Sequence, residues 1–592
     1  MRLPRWLPWA AVAVLFILLL CHEWFGPDIW YHLYLGERVA RTLNPQPADN
    51  LILQQAGFIN LYWIFQLLVR GVFALGGIYG VSVLFMAFWV IIGGFWLRTS
   101  GILRAGAWGP AIALAAGLLC QTRFEQRPEV LSYVFLAMQI HWLTTWKVDE
   151  RPRAWEYARF ALVQAIWTNV HGYFVFGPVL VGMRWLSLAA EKRKFHFSVP
   201  ALFGLTLLAS VASPFGLRPW GEVIAFGRVL RQLRFAIQEL TPTAAVPAHV
   251  WTVDVFWCAW AAVLAAALYV TFKDARKNLF ALMLAAFGLY LSTVAYRNIP
   301  LLVFLSAPLL GSILSAKKFL PRLRTAKTGS DFSRSRFFDF STTLTAILLS
   351  LWVVAGGFYR SLGNPYGFGI RESRTAYPVS FAEYLRATGF RGSVFNPAAD
   401  GGYLEFHFPD LRLYGDSRVI EVAPIREYFG ALRDPARFRE LQSRCGFDGA
   451  LLAIAESRKV VAALLREKAW RLAEADLHRA FFVNTLGPPG RNAAIHEPVF
   501  YAGEDLSLPQ NEAAAVLWVA IFVEVNDREN LLRALRQFSS APAIPSALAE
   551  LALNYGWRKS DREAIAVAKA MRPRVFPTRS ISAATIGQLL GP

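Results

Sequence analysis

Apolar residues gather in eleven stretches along this chain, at 6–25, 77–97, 105–120, 130–146, 160–173, 174–190, 199–213, 251–272, 279–296, 299–314 and 344–358, with polar loops between them. Stretches of this kind predict membrane-crossing helices, because a chain in lipid must satisfy its backbone amides internally. Arg2 and Arg5 precede the first stretch and no small-residue cleavage site follows it, so it reads as an anchor that is retained. With the N-terminus in the cytoplasm, the loops 98–104, 147–159, 191–194, 273–278 and 317–336 all lie inside. Each of them is basic, as the positive-inside rule demands. An odd number of crossings then leaves the chain from Tyr359 onward on the outer face.

Several arms are short. Between Arg159 and Glu191, about 31 residues serve two crossings, so each arm rises roughly 23 Å against a hydrocarbon core of about 30 Å. The hairpin tip TNVHG at 168–172 is therefore expected within the outer leaflet, where polar backbone survives only against protein or trapped water. The 279–314 pair, with YRN at 296–298, and the 105–146 pair, with QTRFEQRPE at 121–129, repeat the pattern. Three tight hairpins thus carry polar groups to the same end.

Past residue 365 the pattern becomes mixed. GSVFNPAADGGYLEFHFPDLRLYGDSRV reads as strands broken at Pro-Asp and Gly-Asp turns, with FDGALLAI and RAFFVN as further strands between charged helices. After LGPPGRN at 486–492 the spacing is helical. ENLLRALRQF, PSALAELALNYGW and DREAIAVAKAMRP look faintly like tetratricopeptide units, two at most, fewer than a solenoid needs. The expected layout is a transmembrane domain over 1–360 with a first outer loop at 26–76, an extracytoplasmic α/β domain over 361–486, and a helical, TPR-like segment over 493–592.

Composition agrees. With 55% hydrophobic and 14% aromatic residues in 592, the chain is too apolar for an ordinary soluble protein of several domains. The net charge of +20 falls mainly in the short inner loops, which accounts for it without a nucleic-acid partner. Cys21, Cys120, Cys258 and Cys445 form neither a disulfide framework nor a CxxC metal pair. There is no Walker A sequence, HExxH or G-x-S-x-G elbow, so use of a soluble nucleotide at the cytoplasmic face is disfavoured.

The first outer loop is the richest in chemistry. Asp28 stands directly behind Gly26-Pro27 at the first exit from the membrane. Trp30, Leu33, Tyr34 and Val39 then make an apolar stripe, and His32, Glu37, Arg38 and Arg41 a polar one, the pattern of an interfacial helix. A second such segment runs from 60 to 77, after a loop holding Asp49. The order PDIWYHLYLGE, PADN, FINLYWIFQLLVRGVFALGG resembles the GT-C superfamily of membrane glycosyltransferases, which includes protein mannosyltransferases, oligosaccharyltransferases and aminoarabinose transferases. It is similar in particular to bacterial GT-C-like proteins that begin D-x-W-[WY]-H-L. In architecture the resemblance covers 6–358; in residues it covers the first outer loop and fragments such as RPE and WTNVHG. No D-x-D or E-x-D stands at Asp28, so the paired-acid metal motif of some members is missing.

The resemblance implies transfer of a sugar from a polyprenyl-phosphate donor to a lipid, glycan or protein acceptor, on the outer side of what is expected to be a bacterial inner membrane. Such chemistry needs a carboxylate to take or orient the acceptor's proton, and Asp28 is the candidate. A Pro-Asp pair is equally a common helix start. The departing phosphate needs positive charge in a dry site. Arg123, Arg127 and Arg297 occupy outer tips against the positive-inside trend, with Glu129, Asn169, Glu239 and Asn298 as neighbours that hold them. Each arginine alone also suits an interfacial anchor. Arg218, Arg228, Arg231 and Arg234 add positive charge after the seventh crossing. His32 and His171 with Asp28 suit Mn or Zn better than Mg, or are hydrogen-bonded structural histidines. Asp400, Asp416 and Arg418 suit acceptor selection or strand-end turns. The expected fold is an all-α polytopic membrane domain of GT-C type, about eleven helices, with an extracytoplasmic α/β and helical-repeat-like portion. The rival functions are a transporter or flippase and a noncatalytic envelope scaffold.

Overall fold

The computed structural model describes residues 4–48, 50–53, 58–146, 153–192, 198–233, 238–246, 250–315, 329–362, 366–418, 422–486, 498–507, 509–571 and 574–576. Asp49, Arg234, most of the basic loops at 147–152, 193–197 and 316–328, and most of the joint at 486–492 lie outside the described residues. The chain divides into two units, one of residues 1–47 with 57–372 and one of 48–56 with 373–592.

The first unit is helical throughout, and each of the eleven apolar stretches falls wholly or mainly on helix. Among the described residues, Trp63–Ser100, Gly172–Glu191, Thr252–Asp274, Tyr296–Ser315 and Arg336–Val354 are long and apolar enough to cross a membrane. Leu7–Leu20, Ser198–Ala209 and Leu279–Val294 are shorter apolar helices. The three polar hairpin tips each tighten into a 3-10 turn, at Gln121–Arg123, Gly172–Val175 and Tyr296–Asn298. A 3-10 turn reverses direction in few residues and so keeps the exposed backbone short.

The segment read from sequence as a second interfacial helix begins at Trp63 and breaks at Gly77, where φ is 56° and ψ is −146°, and a second helix runs on to Ser100. Glycine reaches that region without a Cβ penalty, so the two helices join there in a kink. The helix Asp28–Thr42 lies against this run at Gly36, where a Cβ would stand 2.4 Å from the Gln66 carbonyl oxygen. Glu37, Arg38 and Arg41 face outward, but His32 does not belong to their stripe. It is wholly buried beside Tyr31, Tyr62 and Phe65.

The chain leaving the first helix is held on its far side by residues 366–372. His22 pairs with Phe368 and Trp24 with Glu372. Glu23 accepts from the Gly367 amide at 3.0 Å and from Arg371 at 2.6 Å, and the Phe25 ring stacks on Tyr366 at 3.7 Å. Four consecutive side chains before Asp28 are therefore fixed, which sets the starting position of its helix.

The second unit is built on a five-stranded sheet: β1 (Ser393–Phe395), β2 (Arg412–Leu413), β3 (Gly449–Ala453), β4 (Trp470–Ala475) and β5 (Arg479–Asn484). The order is β2-β1-β3-β5-β4. The first three strands run parallel, with Val394 opposite both Leu413 and Gly449, and β5 pairs antiparallel with β3 and β4. Ile52 and Leu53, from the first outer loop, extend the sheet by donating their amides to Leu413 and Tyr414 oxygens at 2.8 Å. The helices from Pro509 to Met571 share one core with the sheet. Phe395, Phe447 and Phe482 belong to the same buried cluster as Trp518, Phe522 and Leu551.

Candidate active site

Pro128 opens the helix Pro128–Thr145, since proline suits a first helical turn, and this places Arg127 just before it and Glu129 inside its first turn. Arg123 ends the preceding 3-10 turn. Arg297 sits in the tip between Leu279–Val294 and Ile299–Leu305, and Glu239 in the 3-10 turn Gln238–Leu240. Asp28 is the first residue of its own helix. These segments are remote in sequence and converge in space.

Arg123 donates through Nε to Glu129 and through Nη1 to Glu239 Oε2 at 3.0 Å. Arg127 donates to the same Glu239 oxygen at 2.6 Å, lies 2.7 Å from Glu125, and approaches Asp28 Oδ2 at 3.4 Å. Arg297 reaches Glu239 Oε1 at 3.5 Å and Glu129 Oε2 at 3.6 Å. The Tyr133 hydroxyl, one turn along from Glu129, donates to it at 3.0 Å. Three guanidiniums and four carboxylates thus form one connected network. Asp28, which would otherwise only begin a helix, belongs to it.

Asn169 and Asn298 take supporting positions. Asn169 accepts from the Trp63 indole at 2.9 Å and donates to the Ala165 and Ala212 carbonyls at 2.9 and 2.8 Å, joining three segments. Asn298 accepts from the Tyr173 hydroxyl and donates to Leu291, both at 3.0 Å, which ties the Arg297 tip to the 172–175 tip.

The two histidines are not drawn to Asp28. They stand on either side of the Tyr62 ring, at centroid distances of 5.2 Å for His32 and 6.1 Å for His171. Tyr173 donates its amide to His171 Nδ1, and Ser132, which accepts the Trp167 indole proton, lies 3.1 Å from the same nitrogen. The Tyr173 amide thus occupies the His171 Nδ1 lone pair in this arrangement. Among the described residues no group of three or more His, Cys, Asp or Glu side chains is placed to hold a metal ion. Each of the four carboxylates, Asp28, Glu125, Glu129 and Glu239, is already engaged by a guanidinium, so this arrangement does not form a donor set open to Mn, Mg or Zn.

Sequence reasoning passed over Glu125 and gave Glu239 only a supporting part. Glu125 carries a signal in its place two residues before Arg127. Glu239 carries none, because its partners lie more than a hundred residues upstream or nearly sixty downstream.

Outside this network the candidate residues of the second unit pair among themselves. Asp400 receives two bonds from Arg479, both at 2.8 Å, and Arg418 bonds Asp416 at 2.5 Å and Glu405 at 3.3 Å. Burial pushes the Asp400 carboxyl up, and the Arg479 guanidinium pulls it back.

This mostly helical chain, with apolar helices of membrane-crossing length and a small mixed sheet, has a fold like that of a solved oligosaccharyltransferase. The apo oligosaccharyltransferase of Archaeoglobus fulgidus superposes over 82% of this chain and 75% of its own, with a TM-score of 0.50 and 10% identity. Two other solved structures give lower scores: oligosaccharyltransferase AglB of the same organism with an inhibitory peptide and a dolichol-phosphate (0.48, 11% identity, 77% and 70% covered), and ArnT of Cupriavidus metallidurans with undecaprenyl phosphate (0.41, 13%, 81% and 98%). The fold likeness rests on the first. No family model matches the sequence, and no curated protein matches it by sequence.

Proposed function

We propose that this protein is an integral membrane glycosyltransferase that transfers a sugar from a polyprenyl-phosphate donor to a lipid, glycan or protein acceptor on the extracytoplasmic face. The acceptor's hydroxyl or amine attacks the anomeric carbon, the bond from that carbon to the phosphate oxygen breaks, and the acceptor's proton passes to Asp28. Arg123, Arg127 and Arg297 receive the charge that develops on the leaving phosphate, and Glu129 with Tyr133 keeps two of them aimed. No step is routed through a metal ion. One observation carries the proposal: Asp28 lies 3.4 Å from Arg127, inside a network that gathers three arginines from two hairpins. Base and phosphate cradle belong to one site, so one bound donor and one acceptor can reach both. The shared fold with an oligosaccharyltransferase supports the reaction class.

The test compares lipid extracts and envelope glycans by mass spectrometry in a deletion strain complemented with the wild-type chain or with Asp28→Asn. Loss of general-base action lowers transfer about 10²–10⁴-fold, so lipid-linked sugar is expected to accumulate at normal protein levels. A wild-type glycan profile from Asp28→Asn would remove Asp28 from the chemistry. If truncation of the C-terminal unit abolished function in that case, the scaffold role would stand.

A further inference from the structure

The network described above is full. Asp28, Glu125, Glu129 and Glu239 bring four negative charges against the three positive charges of Arg123, Arg127 and Arg297, so the site as it stands is net negative and repels an anion. A cradle for a leaving phosphate must therefore first lose a carboxylate. Glu129 is poorly suited to leave. It sits within a helix, accepts the Tyr133 hydroxyl as well as Arg123, and its side chain is 3% exposed. Glu239 differs on each count. Its side chain is 26% exposed, it stands on a three-residue 3-10 turn, and all three guanidiniums converge on its two oxygens at 2.6 to 3.5 Å.

We infer that Glu239 is an exchangeable stand-in for the donor phosphate: its carboxylate occupies the anion position of the three arginines and is displaced when the phosphate arrives. The inference rests on the polyprenyl-phosphate reading and deepens it. Donor capacity points the same way. The Nη2 of Arg123 is buried with no hydrogen-bond partner. The sugar-bearing donor is a phosphodiester whose two non-bridging oxygens can replace the two of Glu239, and the monoester left when the sugar departs gains a third oxygen that can use the donor Glu239 leaves idle. The exchange keeps the arginines compensated when no donor is present, since unpaired guanidiniums buried at membrane depth are costly. It also makes donor binding release a carboxylate beside Asp28.

The experiment titrates the full-length protein in nanodiscs with undecaprenyl phosphate and, separately, with inorganic phosphate, comparing wild type, Glu239→Gln and Glu239→Asp. Removing the competing charge is expected to tighten undecaprenyl phosphate binding about tenfold in Glu239→Gln. Glu239→Asp, which keeps the charge on a shorter arm, is expected to fall between that variant and wild type. Tightening for both ligands assigns the exchange to the phosphate group alone, and tightening for undecaprenyl phosphate only assigns it to the lipid headgroup in place; either supports the inference. Wild-type binding with no gain, or a loss, in both variants overturns it and leaves the donor reading standing. Folded wild type and variants that all fail to bind undecaprenyl phosphate overturn the donor reading, and this inference with it.

Discussion

Two buried arginine–carboxylate clusters can be compared, one in each unit. In the second unit, Arg479 meets Asp400 through two parallel bonds at 2.8 Å and gives its remaining donors to the Thr375 and Ala376 carbonyls at 3.2 and 2.8 Å. One cation faces one anion, and every guanidinium nitrogen has an acceptor. In the first unit, three cations face four anions at uneven separations of up to 4.0 Å, one carboxylate is shared by three arginines, and a buried guanidinium nitrogen is left over. Both clusters keep charge out of water, but in that of the second unit every nitrogen is used. The paired cluster suits a structural clamp, and the overfilled, unevenly bonded one is where an exchange of occupants is proposed.

That contrast can be broken most severely at the clamp. Arg479→Leu leaves Asp400 buried without its partner and is expected to cost about 3–5 kcal/mol of stability in the C-terminal unit. Denaturant unfolding followed by the fluorescence of the buried Trp518 measures it. A change under 1 kcal/mol would mean that the clamp holds little.

Arg297→Lys sharpens the comparison from the other side. Its contacts are the longest made by the three arginines to the two shared glutamates, so the first unit is expected to keep its stability. Donor binding should weaken by about 1.5–3 kcal/mol, roughly ten- to a hundredfold, because lysine cannot replace the forked donor. Titration with undecaprenyl phosphate beside a thermal melt separates the effects; a melt that falls as far as that of Arg479→Leu would erase the distinction.

The smallest effect is a slope. Burial pushes the Glu474 carboxyl up to about 7 from 4.5. The folded chain then holds a proton that the unfolded chain has released, so the stabilisation is complete below about pH 4.5 and is lost as pH rises towards 7. The melting temperature of the C-terminal unit is expected to fall across that window, and Glu474→Gln should flatten the fall. An unchanged slope in the variant would assign it to other groups.

How much of this could be read beforehand differs from residue to residue. Asp28 was legible because Gly-Pro-Asp follows an apolar run, and Arg123, Arg127 and Arg297 because they stand in short polar turns between apolar stretches, apart from the basic loops. Glu239 was visible only as a possible support, since nothing in QEL says that three guanidiniums will surround it. His32 was placed on the wrong face. Its spacing fits a polar stripe, but packing against Tyr62, Phe65 and Gln66 draws it inward, and burial with a partner outweighs the surface preference of one imidazole. The 60–77 segment was separated from the next stretch at Gly77, and the backbone does leave helical geometry there.

The sequence by itself determined that the chain holds an array of apolar helices joined by basic loops and short polar turns, and that a mixed α/β portion follows. These properties depend on local periodicity and on the cost of transferring charge and bare backbone into lipid, both of which are sums over neighbouring residues. Tertiary structure alone decided which carboxylate meets which arginine, that three arginines converge on Glu239, and that Asp400 takes two bonds from Arg479. Those outcomes depend on separations of a few ångströms between residues tens to hundreds of positions apart, where Coulomb energy changes steeply with distance and no local pattern records the partner.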